Sequence, residues 1–94
     1  MKVLWTPQAA QDRADIWDYL HALNPQAALD MDIRFSQSAT QLMQHPQAGP
    51  PGLITGTHEL IPHQSYRLVY QLHQDAVWIL ALVHTARQWP PIET

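Results

Sequence analysis

The last third of the chain holds two strand-like runs that are joined by only two residues. The runs are Tyr66 to His73 and Ala76 to Val83, and the link between them is Gln74-Asp75. Both runs are rich in β-branched, aromatic and other apolar residues, which predicts an antiparallel hairpin. The apolar residues of the second run occupy both alternating faces, which favours an interior strand that is covered on both sides. Such a strand requires other elements to pack against the sheet.

Two cap-and-proline pairs predict a pair of helices. Thr6-Pro7 and Asn24-Pro25 each place a good N-cap residue before a proline, which is favoured in the first helical turn. The first helix is predicted from Pro7 to about Ala22 and the second from Pro25 to about Gln44, as an antiparallel hairpin. Apolar residues three and four apart predict the buried stripes, with Ala10, Ala14, Trp17, Leu20 and Leu23 in the first helix and Ala28, Met31, Phe35, Ala39 and Leu42 in the second.

The remaining segments complete an α+β pattern. Lys2 to Trp5 and Thr57 to Ile61 read as strands, while the Pro- and Gly-rich stretch from His45 to Gly56 reads as a loop. The order is therefore strand, helix, helix and three strands. It predicts one domain over residues 1–94, in which the helical hairpin packs on one face of a mainly antiparallel sheet that ends in a three-stranded antiparallel meander.

Composition excludes several classes of site and partner. The chain has no Cys, so disulfides, thiolate catalysis and Cys-type metal sites are excluded. Eight acidic residues against five basic ones give a net charge of −3 with His neutral, whereas proteins that grip phosphate backbones are normally basic. The sequence has no apolar run long enough for a signal peptide or membrane span, so we expect a cytoplasmic protein without a membrane partner. We also expect no cofactor and no metal.

The residues that could carry chemistry cluster around the end of the hairpin. Arg67 either pairs with Glu59 across the sheet or binds an anion. His84 follows the last strand, where its ring is either satisfied by the backbone or acts as a general acid or base. Arg87 lies three residues further on, and Trp89 either covers the sheet edge or stacks on a base.

Two other groups of residues have simpler interpretations. A metal site is a weak alternative for His58, Glu59 and His63, because their spacing matches no metal motif. The three acidic residues spaced three apart in the first helix predict a solvated face or a contact for a basic partner segment, and they are Asp12, Asp15 and Asp18.

The motifs, taken in order, resemble the RelE/ParE superfamily of type II toxin–antitoxin toxins, often labelled plasmid stabilisation proteins. They are Trp5-Thr6 with Asp12 and Tyr19-Leu20, Asn24-Pro25 with Ala27-Ala28, His45-Pro46, Gly56 to Leu60, Tyr66 to Tyr70 and Val83 to Pro90. The resemblance covers nearly the whole chain. It implies a small toxin that is wrapped by a segment of a cognate antitoxin, with operator DNA contacted only through that antitoxin.

The superfamily contains both inhibitors of DNA gyrase and ribosome-dependent mRNA endonucleases. In the endonuclease reading, Arg67 and Arg87 hold the scissile phosphate and His84 moves the proton. However, endonuclease members tend to be strongly basic, whereas this chain has no basic residue between Arg34 and Arg67. The ending from His84 to Pro90 resembles the ParE-labelled branch, so the resemblance favours a growth inhibitor that acts on gyrase.

The resemblance also assigns contact residues. Those expected to contact the target are Arg67, His84, Arg87, Trp89, His58 and Glu59. Those expected to contact the antitoxin are Trp17, Leu20, Tyr70 and Trp78. A third hypothesis is a non-toxic module that is kept for antitoxin binding.

Overall fold

The predicted order of elements is confirmed in a computed structural model, which describes residues 1–91. The elements are β1 (Lys2–Trp5), α1 (Pro7–Leu23), α2 (Pro25–Gln44), β2 (His58–His63), β3 (Tyr66–His73) and β4 (Ala76–His84). The strand order in the sheet is β1-β4-β3-β2, with β1 parallel to β4 and the other pairs antiparallel. The mainly antiparallel α+β fold is therefore as expected. Within residues 1–91, neither helix is long and apolar enough to cross a membrane.

Both helices begin where the cap-and-proline pairs predict. The hydroxyl of Thr6 accepts a hydrogen bond from the N–H of Ala9 at 3.1 Å. The side-chain oxygen of Asn24 accepts from the N–H of Gln26 at 3.0 Å, while its own N–H donates to the carbonyl of Leu20 at 2.7 Å. Asn24 is therefore the single residue between the two helices, where it ends α1 and starts α2, and this fixes the tight antiparallel hairpin.

The core lies between the helical hairpin and one face of the sheet. The predicted stripe of α2 is confirmed, since Ala28, Phe35 and Leu42 are buried and its other members are half-buried. The predicted stripe of α1 is wrong in part, because Ala10, Ala14 and Leu23 are exposed while Ala9 is buried and Ile16 packs against the core.

The face of α1 that packs on the sheet differs from the predicted stripe, and it includes a polar residue. A carboxylate oxygen of Asp12 accepts a hydrogen bond from the N–H of Leu82 at 3.1 Å. The side of α1 that faces the sheet therefore carries an acidic residue between Ala9 and Ile16. A search for apolar periodicity alone cannot select a face that contains a carboxylate.

A β-bulge in β4 changes which residues face the helices. The register between β3 and β4 shifts between Val69 and Tyr70, where Tyr70 pairs with Ile79 and Val69 pairs with Ala81. One extra residue, Leu80, therefore lies between the two pairs. Beyond it the alternation is reversed, so the core on the helix side contains Val77, Ile79 and Leu82, whereas Ala81 and Val83 join Val69 on the opposite face.

The loop between α2 and β2 is held by a buried tyrosine. The hydroxyl of Tyr70 donates to the carbonyl of Pro46 at 2.9 Å and accepts from the N–H of Gly49 at 2.9 Å. Burial raises the pKa of Tyr70, and the Gly49 hydrogen bond offsets part of that effect. A Cβ at Gly49 would lie 2.6 Å from the carbonyl oxygen of Glu59, so only glycine fits at this position.

We expect Tyr70→Phe to destabilise the protein, because the substitution keeps the ring but leaves the buried N–H of Gly49 without its acceptor. The free energy of unfolding should fall by about 1–3 kcal/mol. Urea denaturation followed by tryptophan fluorescence measures this change. The control is Tyr19→Phe, whose side chain is 63% exposed and whose effect should stay within about 0.5 kcal/mol. Equal stabilities of the two variants would contradict the anchoring role of Tyr70.

Candidate functional site

Two cavities lie at the open end of the β3–β4 hairpin, opposite its turn and close to the pair formed by Tyr66 and His84. One lies on each face of the sheet. The first, which we call the helix-side pocket, has a volume of about 420 Å³. It lies between α1 and the adjoining ends of β3 and β4. Its walls carry two carboxylates, two phenols, a histidine and an arginine over an apolar base, and they are formed by Asp12, Asp15, Ile16, Tyr19, Tyr66, Leu82, His84 and Arg87.

His84 lies in the helix-side pocket with one ring nitrogen already engaged. Its Nδ1 accepts a hydrogen bond from the N–H of Ala86 at 3.0 Å, and its ring packs edge-to-face on Tyr66 at 5.3 Å between centroids. Because Nδ1 is the acceptor, the neutral ring carries its proton on Nε2. His84 can thus donate a hydrogen bond from Nε2, but Nε2 has no free lone pair with which to remove a proton.

Arg67 lies on the opposite face of the sheet, in an ion pair. Its Nη1 donates to a carboxylate oxygen of Glu59 at 3.0 Å, which confirms the first of the two interpretations of this arginine. The other carboxylate oxygen of Glu59 accepts from the N–H of Leu53 at 3.1 Å. The Nε of Arg67 is buried and has no hydrogen-bond partner within residues 1–91. The guanidinium is therefore part of the folded sheet and is only slightly available to a ligand.

The second cavity, which we call the sheet-face groove, has a volume of about 440 Å³ and is largely apolar. Trp89 packs there against Val69, Ala81 and Val83, and so covers this end of the sheet. The indole N–H of Trp89 is buried without a partner among the described residues. Other apolar members of the lining include Ile54, Leu80 and Pro91. Gln8 and Asp12 of α1 form part of its wall. An open groove with a largely apolar lining is typical of a binding surface.

The structure does not bring the three expected catalytic residues into one cavity. In the sheet register Tyr66 pairs with His84 and Arg67 pairs with Val83, so Arg67 and His84 point to opposite faces. Arg87 is exposed and lines both cavities. His84 and Arg87 therefore share the helix-side pocket, while Arg67 is separated from them by the sheet.

The other expected target contacts, His58 and Glu59, have structural partners. The ring of His58 stacks on Tyr70 with 5.4 Å between centroids, and its Nδ1 lies 3.0 Å from the carbonyl oxygen of Gly49. Glu59 holds Arg67 and the loop, as described above. Within residues 1–91, the structure shows no group of three or more His, Cys, Asp or Glu side chains that could hold a metal ion.

The four residues expected to contact the antitoxin are spread over separate regions. Tyr70 is wrong as a contact residue, because its side chain is fully buried and bonded to the loop. Trp17 is half-buried on α1, where it stacks on His21 at 5.9 Å, and Leu20 is half-buried on the same helix. Trp78 is half-buried on the face of the sheet that lies away from the helices.

Sequence reasoning missed an ion pair between the two helices. The guanidinium of Arg13 donates to both carboxylate oxygens of Asp32, at 2.6 and 3.0 Å, and also to the hydroxyl of Ser36 at 2.8 Å. It also lies over the ring of Trp5 at 4.8 Å. No signal along the chain links Arg13 to Asp32, because residues on different helices have no fixed spacing. Tyr19 and Tyr66 of the helix-side pocket were not predicted as site residues, because no spacing along the chain shows that a residue of α1 meets a residue of β3.

The sequence matches the family model described as "ParE toxin of type II toxin-antitoxin system, parDE" over residues 3–89. This chain belongs to the ParE toxin family. It is thus the toxin of a toxin–antitoxin system, in a family of toxins that pair with a cognate antitoxin.

Individual relatives of this ParE-family toxin agree with the match. The chain is 30% identical to Y4kP of Sinorhizobium fredii over 92 residues, which cover 97% of this chain and 95% of that protein. It is 33% identical to Toxin RelE2 of Caulobacter vibrioides over 87 residues, covering 92% of this chain and 97% of the relative.

Solved structures show the same fold. A chain of the chromosomal ParDE system from P. aeruginosa has a TM-score of 0.80 at 24% identity. The match covers 89% of the protein described here and 95% of the P. aeruginosa chain. A YoeB/ParE toxin from Agrobacterium tumefaciens has a TM-score of 0.66 at 17% identity, with 89% and 98% covered.

We expect Glu59→Ala to destabilise this ParE-family toxin, because Arg67 then keeps a mostly buried guanidinium without its carboxylate. The side chains of Arg67 and Glu59 are only 22% and 11% exposed, so the free energy of unfolding should fall by about 1–3 kcal/mol. The further change Arg67→Met removes the unpaired cation, and the double variant should recover at least half of the loss. Chemical denaturation of the two single variants and the double variant gives the coupling. Strictly additive losses would show that the pair does not hold the sheet.

Proposed function

We propose that this ParE-family toxin inhibits growth by binding a protein target, DNA gyrase, without cutting a bond. The observation that supports this proposal is the separation of Arg67 from His84 by the sheet. An RNA-cleaving site needs a cation on the phosphate and a proton acceptor within reach of the same bond. Here the accessible histidine offers Nε2–H as a donor, and the strand arginine is paired with Glu59.

Electrostatics also disfavour an RNA substrate. The chain has a net charge of −3 with His neutral, so the long-range attraction that draws basic proteins to ribosomal RNA is absent. The pocket that contains His84 also contains the carboxylates of Asp12 and Asp15. A phosphate that approached His84 would meet both of these negative charges.

In this proposal the target contacts lie at the end of the hairpin. Arg87 is exposed between the two cavities, His84 is exposed beside it, and Trp89 is half-buried on the sheet face. Arginine and tryptophan often contribute most of the binding energy of a protein interface. We assign gyrase contact to these three residues, whereas Arg67, His58 and Glu59 serve the fold.

The cognate antitoxin is proposed to cover the sheet-face groove. This groove is largely apolar, and α1 contributes only Gln8 and Asp12 to its wall. An amphipathic segment would bury the groove and block access to Arg87 at the same time, which explains neutralisation by occlusion. Operator DNA is then contacted by the antitoxin alone, and both proteins act in the cytoplasm.

Cleavage of mRNA on the ribosome is the second candidate. It is favoured by the resemblance to Toxin RelE2 and by the presence of His84 and Arg87 in one pocket. In this reading the ribose 2′-hydroxyl attacks the phosphorus and loses its proton to water, and the P–O bond to the leaving oxygen breaks. The imidazolium form of His84 donates a proton from Nε2 to that leaving oxygen, and Arg87 neutralises the phosphate. A third candidate, a module without toxicity, predicts unimpaired growth when the chain is produced without its antitoxin.

Induced expression without the antitoxin, combined with purified-protein assays, distinguishes these candidates. We expect growth arrest, filamentation and DNA damage signalling with intact mRNA, together with inhibition of DNA supercoiling by purified gyrase. Arg87→Ala should raise the concentration needed for half-inhibition by about tenfold, as is typical of an arginine at the centre of an interface. Arg34→Ala, an exposed arginine on α2 that lines neither cavity, should leave it unchanged.

His84→Ala separates the protein-binding mechanism from the catalytic one. If gyrase is the target, this variant loses one contact and stays toxic. Rapid cleavage of translated mRNA by the wild type, abolished in His84→Ala and accompanied by normal supercoiling, would overturn the proposal in favour of the endonuclease.

A further inference from the structure

The helix-side pocket contains more acceptors than the fold uses. Asp12 is engaged, because one of its oxygens accepts from Leu82 N–H at 3.1 Å and the other from the amide of Gln8 at 2.8 Å. Asp15, one turn further along α1, accepts from the amide of Gln11 at 2.8 Å through one oxygen only. Asp15 is an exposed residue of the pocket wall, and its second oxygen has no partner within residues 1–91.

A buried tyrosine lines the same pocket without a hydrogen-bond partner. Tyr66 is 6% exposed, and its ring packs edge-to-face against Phe35 and His84 at 5.8 and 5.3 Å. Its hydroxyl makes no hydrogen bond with any residue that the structure describes. The hydroxyl itself is not enclosed, because the buried side-chain atoms without a partner among the described residues are Nε of Arg67 and Nε1 of Trp89. It therefore opens into the pocket and is free to bond to a ligand there. Burial raises the pKa of Tyr66, and Tyr19 beside it adds to the effect.

These groups select a cationic ligand. The walls present the carboxylates of Asp12 and Asp15 and the phenols of Tyr19 and Tyr66, against the single permanent cation of Arg87. A phosphate or carboxylate ligand would be repelled by the two acidic residues. A guanidinium fits best, because its planar fork donates in several directions and its face stacks on aromatic rings, whereas an ammonium is a compact point charge.

The pocket is continuous with the sheet-face groove. Asp12, Leu82 and Arg87 line both cavities, so a segment that lies in the groove reaches the pocket next. We propose that the helix-side pocket binds an arginine side chain carried by the antitoxin segment that covers the sheet-face groove. The inference rests on the proposed function in one respect, namely that the antitoxin occupies that groove; it does not depend on which target the toxin attacks.

Binding of a small probe tests the chemistry of the pocket directly. We expect N-acetyl-arginine amide, titrated into the full chain and followed by amide chemical shifts, to bind in the millimolar range and to shift signals around Asp15, Tyr66 and His84. N-acetyl-citrulline amide has the same shape without the charge and should bind at least about tenfold more weakly, as expected for loss of a charge-assisted contact. Equal binding of the two probes would overturn the proposal.

Two variants of α1 provide the matched comparison. Asp15→Asn removes the pocket carboxylate with its unpartnered oxygen, whereas Asp18→Asn removes an exposed carboxylate of the same helix that lies outside the pocket. Asp15→Asn should weaken binding of the arginine probe and raise the dissociation constant of the antitoxin complex by about tenfold or more, with a smaller effect at high salt. Asp18→Asn should change neither. Equal effects of the two variants would overturn the proposal.

Tyr66→Phe tests the unpartnered hydroxyl. It should weaken the antitoxin complex several-fold while leaving thermal stability unchanged, because the hydroxyl has no partner in the free toxin. Weaker gyrase inhibition in Asp15→Asn with unchanged antitoxin affinity would assign the pocket to the target instead and overturn the proposal.

Ile54→Ser tests occupation of the groove separately from occupation of the pocket. Ile54 lines the groove but not the pocket and is 39% exposed, so the substitution should not unfold the chain. If the antitoxin covers the groove, this variant weakens the complex independently of Asp15→Asn. If Ile54→Ser has no effect while Asp15→Asn weakens the complex, the antitoxin does not occupy the groove. The proposal that its groove-bound segment carries the arginine is then overturned as well. Arginine binding by the pocket is still measured separately by the probe.

Discussion

The extra residue in β4 determines which side chains line the helix-side pocket and which line the sheet-face groove. Without the bulge at Leu80, strict alternation would continue from Val77 and Ile79, and Val83 would face the helices while His84 pointed away from them. The shift in register moves Leu82 into the core and leaves Val83 under Trp89. It also brings His84 to the helix side, next to Tyr66. One added residue thus decides which chemical groups share a cavity.

The sequence was sufficient to predict the elements because their signals are local. Thr6 and Asn24 cap the two helices at the positions that the cap-and-proline pairs predict, and the apolar stripe of α2 faces the core as expected. The stripe of α1 could not be predicted in the same way, because the side that meets the sheet includes Asp12. The bulge was also not predictable from pattern, since the apolar residues of β4 occupy both faces and any register gives an apolar strand.

The cluster at the end of the hairpin was predictable as a neighbourhood but not as a geometry. Arg67, His84 and Arg87 do lie near one end of the sheet. Whether they converge depends on the face that each side chain occupies, and that face was set by the bulge. Similarly, the aromatic residue Tyr70 looked like a candidate surface residue, yet its hydroxyl satisfies two backbone groups of a loop that is distant in sequence. Such long-range partners leave no trace in residue spacing.

Asn24 provides both the last backbone donor of α1 and the side-chain acceptor that starts α2. The two helices therefore have no spacer whose length can change. Inserting or deleting one residue at this point would prevent a single residue from making both caps and would change how α2 is oriented against α1. The ion pair between Arg13 and Asp32 joins the two helices and depends on that orientation. The junction between α1 and α2 is consequently a poor place for a tag or a loop insertion.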